Sequence, residues 1–167
     1  MTGKEAILAL KKAVGEPNLD ARRSAEEALA AHGPPAIQEI VKALREANAT
    51  MRWYLARAIT RMGAAAIPMI IDAIRSVDDP EVRRYLAASL GEIGEEAIPD
   101  LIPLLADENV FVRGAVAMAL CRIGDPAIPA LNEAAEGDDL FLRTCAELVL
   151  FRMGEEGIKT LFPKHEE

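Results

Sequence analysis

An arginine recurs every 30 or 31 residues along this chain of 167 residues. A glycine follows each arginine after eleven residues, and an isoleucine follows after fifteen. The three columns consist of Arg22, Arg52, Arg83, Arg113 and Arg143, then Gly33, Gly63, Gly94, Gly124 and Gly154, then Ile37, Ile67, Ile98, Ile128 and Ile158. Columns that keep one register predict tandem structural units, each too small to bury its apolar face without its neighbours.

Each repeat is predicted to contain two helices. An Asn or Asp stands four residues before every column arginine, and these residues cap helix starts by accepting backbone N–H groups. The capping residues are Asn18, Asn48, Asp79, Asn109 and Asp139. We expect helix A to run from the cap to the column glycine, which takes the left-handed conformation of a helix end. Helix B follows with apolar residues at helical spacing, as in Ile37, Ile40, Val41 and Leu44.

The register predicts a single domain over residues 1–167. A lone helix B at 3–16 opens the chain, and Pro163 cuts the final helix short. The full repeats are predicted at 18–47, 48–78, 79–108, 109–138 and 139–163.

Residues 79–105 resemble the short HEAT-like repeat named after the phycobilisome lyases, and the resemblance extends over 3–163. It implies an all-α, right-handed α-solenoid, or α-α superhelix, of about five and a half two-helix repeats of 30–31 residues, with an armadillo-like concave face that binds partners. It also implies a structural role for the arginine column, in which the arginines pair with acids of neighbouring repeats.

Few residues are suited to catalysis or metal binding. The histidines, His32 and His165, are far apart, and neither has the ligand spacing of a zinc site. Neither Cys121 nor Cys145 has an adjacent base, and both lie within predicted helices as reduced thiols. We therefore expect a non-enzymatic protein without cofactor or metal. The N-terminus is no signal peptide, and no apolar run approaches the roughly 20 residues that span a bilayer, so we expect a cytoplasmic location.

One face of helix A carries residues typical of binding hot spots. This face is formed by positions −2, +1, +5 and +9 from the column arginine, with +2 beside them, and it is rich in Trp, Tyr, Phe and Arg. The candidate partner-binding residues are Trp53, Tyr54, Arg57, Arg61, Arg84, Tyr85, Phe111, Met118, Arg122, Phe141, Leu148 and Arg152. In solenoids of this type these positions line the concave surface as a continuous stripe.

The leading functional hypothesis is a protein–protein interaction scaffold. The net charge is −8, whereas the stripe is mildly basic, and this contrast indicates an anionic or amphipathic protein segment as partner. One alternative is that the bulky residues only pack between repeats. Others are a bilin-lyase-like subunit that binds a tetrapyrrole, and a homodimer through the C-terminal repeat. Nucleic-acid binding is the weakest alternative, because phosphate contacts need a basic field.

Overall fold

The computed structural model describes residues 1–154, and this part of the chain is helical and contains no strand. The predicted all-α class is therefore confirmed for these residues. Ile158, Pro163 and His165 lie outside them. The α-helices of the described residues are α1 Gly3–Val14, α2 Leu19–Ala30, α3 Ile37–Glu46, α4 Ala49–Arg61, α5 Ile67–Ser76, α6 Pro80–Ile93, α7 Ile98–Leu104, α8 Val110–Ile123, α9 Ile128–Glu136 and α10 Leu140–Arg152.

The predicted caps begin every helix A. The side chain of Asn48 accepts the backbone N–H of Met51 at 2.9 Å, and Asp139 accepts those of Phe141 and Leu142 at 3.0 Å. Asn18, Asp79 and Asn109 cap α2, α6 and α8 in the same way. Each cap satisfies a donor that the helix itself leaves without a partner.

The column glycines separate helix A from helix B, but their backbone conformation differs from the expected one. All the column glycines have a positive φ. In Gly94 and Gly124, where φ is 87° and 77°, ψ is −141°. This is an extended region open almost only to glycine, rather than the left-handed helical region. A short 3₁₀ turn follows, and helix B begins at the column isoleucine in α3, α5, α7 and α9.

The column arginines reach back to the end of the preceding helix B. Arg52 Nε donates to the carbonyl of Leu44 at 2.9 Å, and Arg143 Nη2 donates to that of Gly137 at 2.7 Å. Arg22, Arg83 and Arg113 make equivalent contacts. The guanidinium thus supplies donors to carbonyls that helix ends leave without partners. The expected acid pairing is represented by Arg52 and Glu81, 3.9 Å apart.

The chain forms two compact units, Met1–Ile93 and Gly94–Glu167. In the N-terminal unit α2, α4 and α6 pack side by side as one layer, and α1, α3 and α5 form a second layer against them. In the C-terminal unit α8 packs on α10 and α7 packs on α9, with the two pairs again in contact. The division into one domain with the repeat boundaries given above stays a prediction.

The interior consists of the apolar positions expected from helical spacing. Fully buried side chains include Leu10, Leu29, Ile37, Ile40, Leu44, Leu55, Ile59, Ile70, Ile74, Leu86, Leu90 and Leu101. Burial of each leucine or isoleucine stabilises the fold by about 1.5–3 kcal/mol relative to exposure.

No single helix in residues 1–154 is both long and apolar enough to cross a membrane. Two helix pairs reach that length and composition together, Ala49–Arg61 with Gly63–Ser76 and Val110–Ile123 with Asp125–Glu136, and they bend by 110° and 116°.

Candidate functional site

A buried carboxylate in the N-terminal unit contacts two of the candidate arginines. Glu26, on α2, is 0% exposed, and its Oε1 accepts a hydrogen bond from Nε of Arg61 and lies 3.3 Å from Nε of Arg57. Both arginines project from α4, which packs beside α2. The hydrogen bond from Glu26 raises the pKa of the Arg61 guanidinium above its usual range. Glu26 Oε2 has no hydrogen-bond partner within the described residues.

A second carboxylate extends this ion cluster towards solvent. Glu27 Oε1 lies 3.8 Å from Arg61 Nη1 and 3.0 Å from Nε of Arg23 on its own helix. Arg23 and Glu27 are both exposed, so their pair contributes about 1 kcal/mol or less. We call Arg23, Glu26, Glu27, Arg57 and Arg61 the arginine–glutamate cluster.

Trp53 stands beside this cluster with half of its surface exposed, at 50%. The guanidinium carbon of Arg57 lies 4.4 Å from the centroid of the Trp53 ring, within the range of a cation–π contact. Tyr54 meets the Trp53 ring edge-on, with centroids 4.9 Å apart. Arg57 is therefore held between an anion and an aromatic face.

Tyr54 needs a correction as a candidate contact residue. Its side chain is buried, at 8% exposure, and its ring contacts that of Trp53, so it supports that ring rather than presenting a surface. Arg84 on α6 is exposed, donates to Glu81 at 2.8 Å and lies 5.7 Å from the ring of Tyr85. Tyr85 itself is half-buried.

The C-terminal unit carries the remaining candidate residues on α8 and α10. Phe111, Phe141 and Leu148 are more than half exposed, Arg122 and Arg152 are exposed, and Met118 is half-buried. We call these six residues the C-terminal patch. The guanidinium carbon of Arg113, a column arginine, lies 5.4 Å from the ring centroid of Phe141. Phe151, which lies in the C-terminal repeat for which the sequence offers self-association as an alternative, is also exposed, at 62%.

The candidate residues are divided between the two units, and the structure brings Trp53, Tyr54, Arg57 and Arg61 together as a first group. Sequence reasoning missed Glu26, which organises the first group. Its position in the repeat is filled by Ala56, Ala87 and Ala117 in the next three repeats. The last repeat carries Glu147 at this position, and Glu147 is exposed, so the sequence pattern alone does not distinguish the buried glutamate.

Two concave grooves formed by residues 1–154 lie away from the candidate residues. One of about 600 Å³ is lined by α1, α3 and the start of α4, including Leu8, Lys11 and Glu46. Another of about 580 Å³ lies among α7, α9 and the start of α10. No candidate residue lines either groove. The candidate residues therefore lie outside these two grooves.

Residues 1–154 contain no cluster of three or more His, Cys, Asp or Glu side chains that is placed to hold a metal ion. Cys121 and Cys145 are both free thiols. Burial raises the pKa of the Cys121 thiol, and the nearby positive charge of Arg152 opposes this in part. A raised pKa makes a thiol less nucleophilic near neutral pH, because less thiolate is present.

Several solved structures are similar to this chain, although their TM-scores are low. The complex of CpcE and CpcF of phycocyanin lyase from Nostoc sp. PCC7120 is 23% identical over 87% of this chain and 98% of that one, with a TM-score of 0.39. Human deoxyhypusine hydroxylase in complex with glycerol is 27% identical over 95% of this chain and 67% of that one, with a TM-score of 0.41. An engineered protein is 23% identical over 96% of this chain and 84% of that one, with a TM-score of 0.32.

No curated protein matches the sequence. The family model described as HEAT repeats matches residues 37–97 and 67–150, which together span more than half of the chain. The matched residues contain the capping residues, column glycines and column isoleucines that define α3 to α9. The chain belongs to the HEAT-repeat family, and its fold is the α-solenoid class that the sequence predicts.

Proposed function

We propose that this protein is a non-enzymatic interaction module that binds a segment of a partner protein through the exposed faces of its A helices. The observation that carries the proposal is the pairing of Trp53 with Arg57 on α4. A half-exposed tryptophan whose ring already holds a guanidinium is a preformed anchor, since little side-chain entropy is left to lose on binding.

The composition of the two faces supports protein recognition over solvent exposure alone. Trp53, Phe111, Phe141 and Leu148 are each at least half exposed, although an ordinary solvated helix face favours charged and polar residues. Contiguous exposed apolar side chains commonly mark interfaces. The arginines beside them supply directional donors for a partner's acceptors.

The proposal assigns no catalytic group, cofactor or metal to either face. The charged side chains of the N-terminal face are engaged with one another: Arg61 with Glu26, and Arg84 with Glu81. Such pairing holds side chains in place for recognition, whereas catalysis needs a group that is poised to exchange a proton or an electron pair. Free thiols at Cys121 and Cys145 fit a reducing compartment, and we place the protein in the cytoplasm as part of this proposal.

The C-terminal patch has a second candidate role, namely self-association. Phe141 and Leu148 follow each other along one face of α10, and exposed Phe151 lies on the next turn. Apolar side chains at this spacing form a seam that a second helix of the same kind can cover. A homodimer through α10 is thus a candidate for this unit, while the N-terminal face serves a different protein.

The experiment that tests the proposed function is affinity purification from the native source with the full chain as bait. We expect Trp53→Ala combined with Arg57→Ala to lose the specific partner, because the anchor and its fixed donor are removed together. The matched control is Leu19→Ala combined with Arg45→Ala, which removes an exposed apolar residue and an exposed arginine elsewhere on the same unit. Equal capture by the two double variants, each shown to be folded by circular dichroism, contradicts the proposal.

A further inference from the structure

We propose that Arg57 and Arg61 form a carboxylate-binding site, so that the segment bound by the N-terminal unit is an acidic peptide that places a Glu or Asp side chain against them beside Trp53. This inference rests on the proposed function and specifies the chemistry of the partner.

The donors of both arginines are only partly used within the protein. Arg57 and Arg61 each direct Nε to the same oxygen of Glu26, and Arg61 Nη1 has a distant second neighbour in Glu27 at 3.8 Å. A guanidinium offers five N–H groups in a planar fork. The two side chains are 40% and 36% exposed, so part of each remains accessible to a second acceptor.

Glu26 is placed to position these arginines rather than to stabilise the fold. The next three repeats hold Ala56, Ala87 and Ala117 at its position, and Glu147 of the last repeat is exposed, so helices of this kind pack without a buried acid there. Burying a carboxylate costs several kcal/mol, and replacing a buried ion pair by apolar residues is often neutral or stabilising. A buried acid that contacts two arginines through one oxygen therefore contributes something other than stability. We assign Glu26 as a residue that positions Arg57 and Arg61.

The charge of the cluster selects an anionic partner. The three guanidinium groups of Arg23, Arg57 and Arg61 outnumber the two carboxylates of Glu26 and Glu27 by one positive charge. The whole chain carries −8, so an acidic peptide is repelled by most of the surface and attracted here. Electrostatic complementarity of this kind fixes where and in which register a peptide binds.

The same geometry favours a peptide carboxylate over a nucleic-acid phosphate. Nucleic-acid affinity comes from many phosphates that are neutralised along a basic track, which a single excess charge does not provide. A guanidinium fork matches one carboxylate in a bidentate geometry, and the exposed ring of Trp53 offers an apolar contact to the neighbouring peptide side chain. The fitting ligand is thus a short segment in which acidic and apolar residues alternate.

Trp53 makes the inference directly measurable, because it is the single tryptophan of the chain and lies against Arg57. The probe is a capped synthetic peptide that repeats Glu-Glu-Leu, titrated against the full chain while Trp53 fluorescence is followed. The control peptide replaces every Glu by Gln. We expect saturable binding of the acidic peptide, at least about ten-fold weaker binding of the neutral one, and a loss of affinity as salt rises. No saturable response, or equal affinity for both peptides, overturns the inference.

Two variants locate the site. Arg61→Gln should weaken binding of the acidic peptide about ten-fold, whereas Arg45→Gln, the same charge change on α3, should leave the affinity within about two-fold. Arg57→Lys keeps the charge beside Glu26 but loses the planar fork and the ring contact, and we expect an affinity about five-fold lower. Each titration is paired with a thermal melt, and equal affinities for folded Arg61→Gln and Arg45→Gln also overturn the inference.

The outcome is separable from that of the proposed function. A partner that depends on Trp53 and Arg57 in the affinity purification, together with an acidic peptide that fails to bind, refutes the carboxylate site and leaves the interaction module. Capture that is indifferent to both residues refutes the module itself.

Discussion

The exposed faces of the two units use different physical means to present apolar side chains. In the N-terminal unit the exposed ring of Trp53 is fixed by a guanidinium that a buried carboxylate holds in turn. In the C-terminal unit Phe111, Phe141 and Leu148 are exposed on α8 and α10, and the charged contact to Phe141 comes from a column arginine that also binds backbone carbonyls. Glu26 is the only charged side chain that is buried in residues 1–154.

This difference indicates that the N-terminal face binds through directional hydrogen bonds, whereas the C-terminal patch binds through non-directional apolar contacts. Hydrogen-bonded charges reject partners that lack the complementary group, because an unpaired donor or acceptor is costly to desolvate. Apolar side chains that lack neighbouring hydrogen-bonded charges bind any apolar surface of suitable shape. We therefore expect the N-terminal face to discriminate among partner proteins and the C-terminal patch to bind apolar surfaces with little discrimination.

The largest expected effect follows from removing both arginines that neutralise Glu26. We expect Arg57→Gln combined with Arg61→Gln to lower the free energy of unfolding by about 3–5 kcal/mol, because a buried carboxylate is then left without its counter-charges. Urea denaturation at neutral pH measures the change. The control on exposed arginines, Arg45→Gln combined with Arg152→Gln, should remain within about 0.5 kcal/mol of the parent protein for each substitution.

Adding Glu26→Gln to the first pair tests the cause of that loss. If the loss comes from an uncompensated charge, the triple variant should recover most of the stability, since a neutral amide is far less costly to bury. Additive loss in the triple variant would mean that packing, and not charge, connects α2 to α4. The two units would then differ less than the contacts around Glu26 indicate.

The sequence predicted the local features of the fold because these depend on neighbouring residues alone. Asn48 as a cap is confirmed, and so is the apolar face of helix B at Ile37, Ile40, Val41 and Leu44. Two features of the site depend on how one helix lies against the next, and the sequence pattern did not contain them. Tyr54 and Glu26 are buried by such packing, although their helical positions alone gave Tyr54 an exposed location and left Glu26 unremarked.

The arginine column shows the same boundary between local and non-local information. Its spacing identified a structural feature, but not its partners. Arg143 donates to the carbonyl of Gly137, six residues earlier, and the spacing of the arginines alone does not identify this acceptor. The choice of partner-binding residues on either face remains a prediction.

An intermediate effect is expected from making the C-terminal patch polar. Phe141→Ser combined with Leu148→Ser should weaken any self-association at least about ten-fold, which corresponds to about 1.4 kcal/mol. Both side chains are more than half exposed, so we expect only a minor change in monomer stability. Analytical ultracentrifugation over a concentration series measures this, with Trp53→Ser as the comparison. Dimerisation that is lost with Trp53→Ser and kept in the double variant would reverse the roles assigned to the two units.

The smallest expected effect concerns the position that holds Trp53 in α4 and Gly114 in α8. A Cβ added to Gly114 meets no atom within 4 Å, and its φ is not positive, so alanine fits there without strain. We expect Gly114→Ala to raise the free energy of unfolding by about 0.5–1 kcal/mol, because glycine in a helix interior loses more conformational entropy than alanine on folding. Gly94→Ala should instead destabilise by about 1–3 kcal/mol, since its φ of 87° lies in a region that alanine rarely adopts. A neutral or negative effect of Gly114→Ala in urea denaturation would mean that alanine does not fit this position without strain, in contrast to the open space that surrounds it.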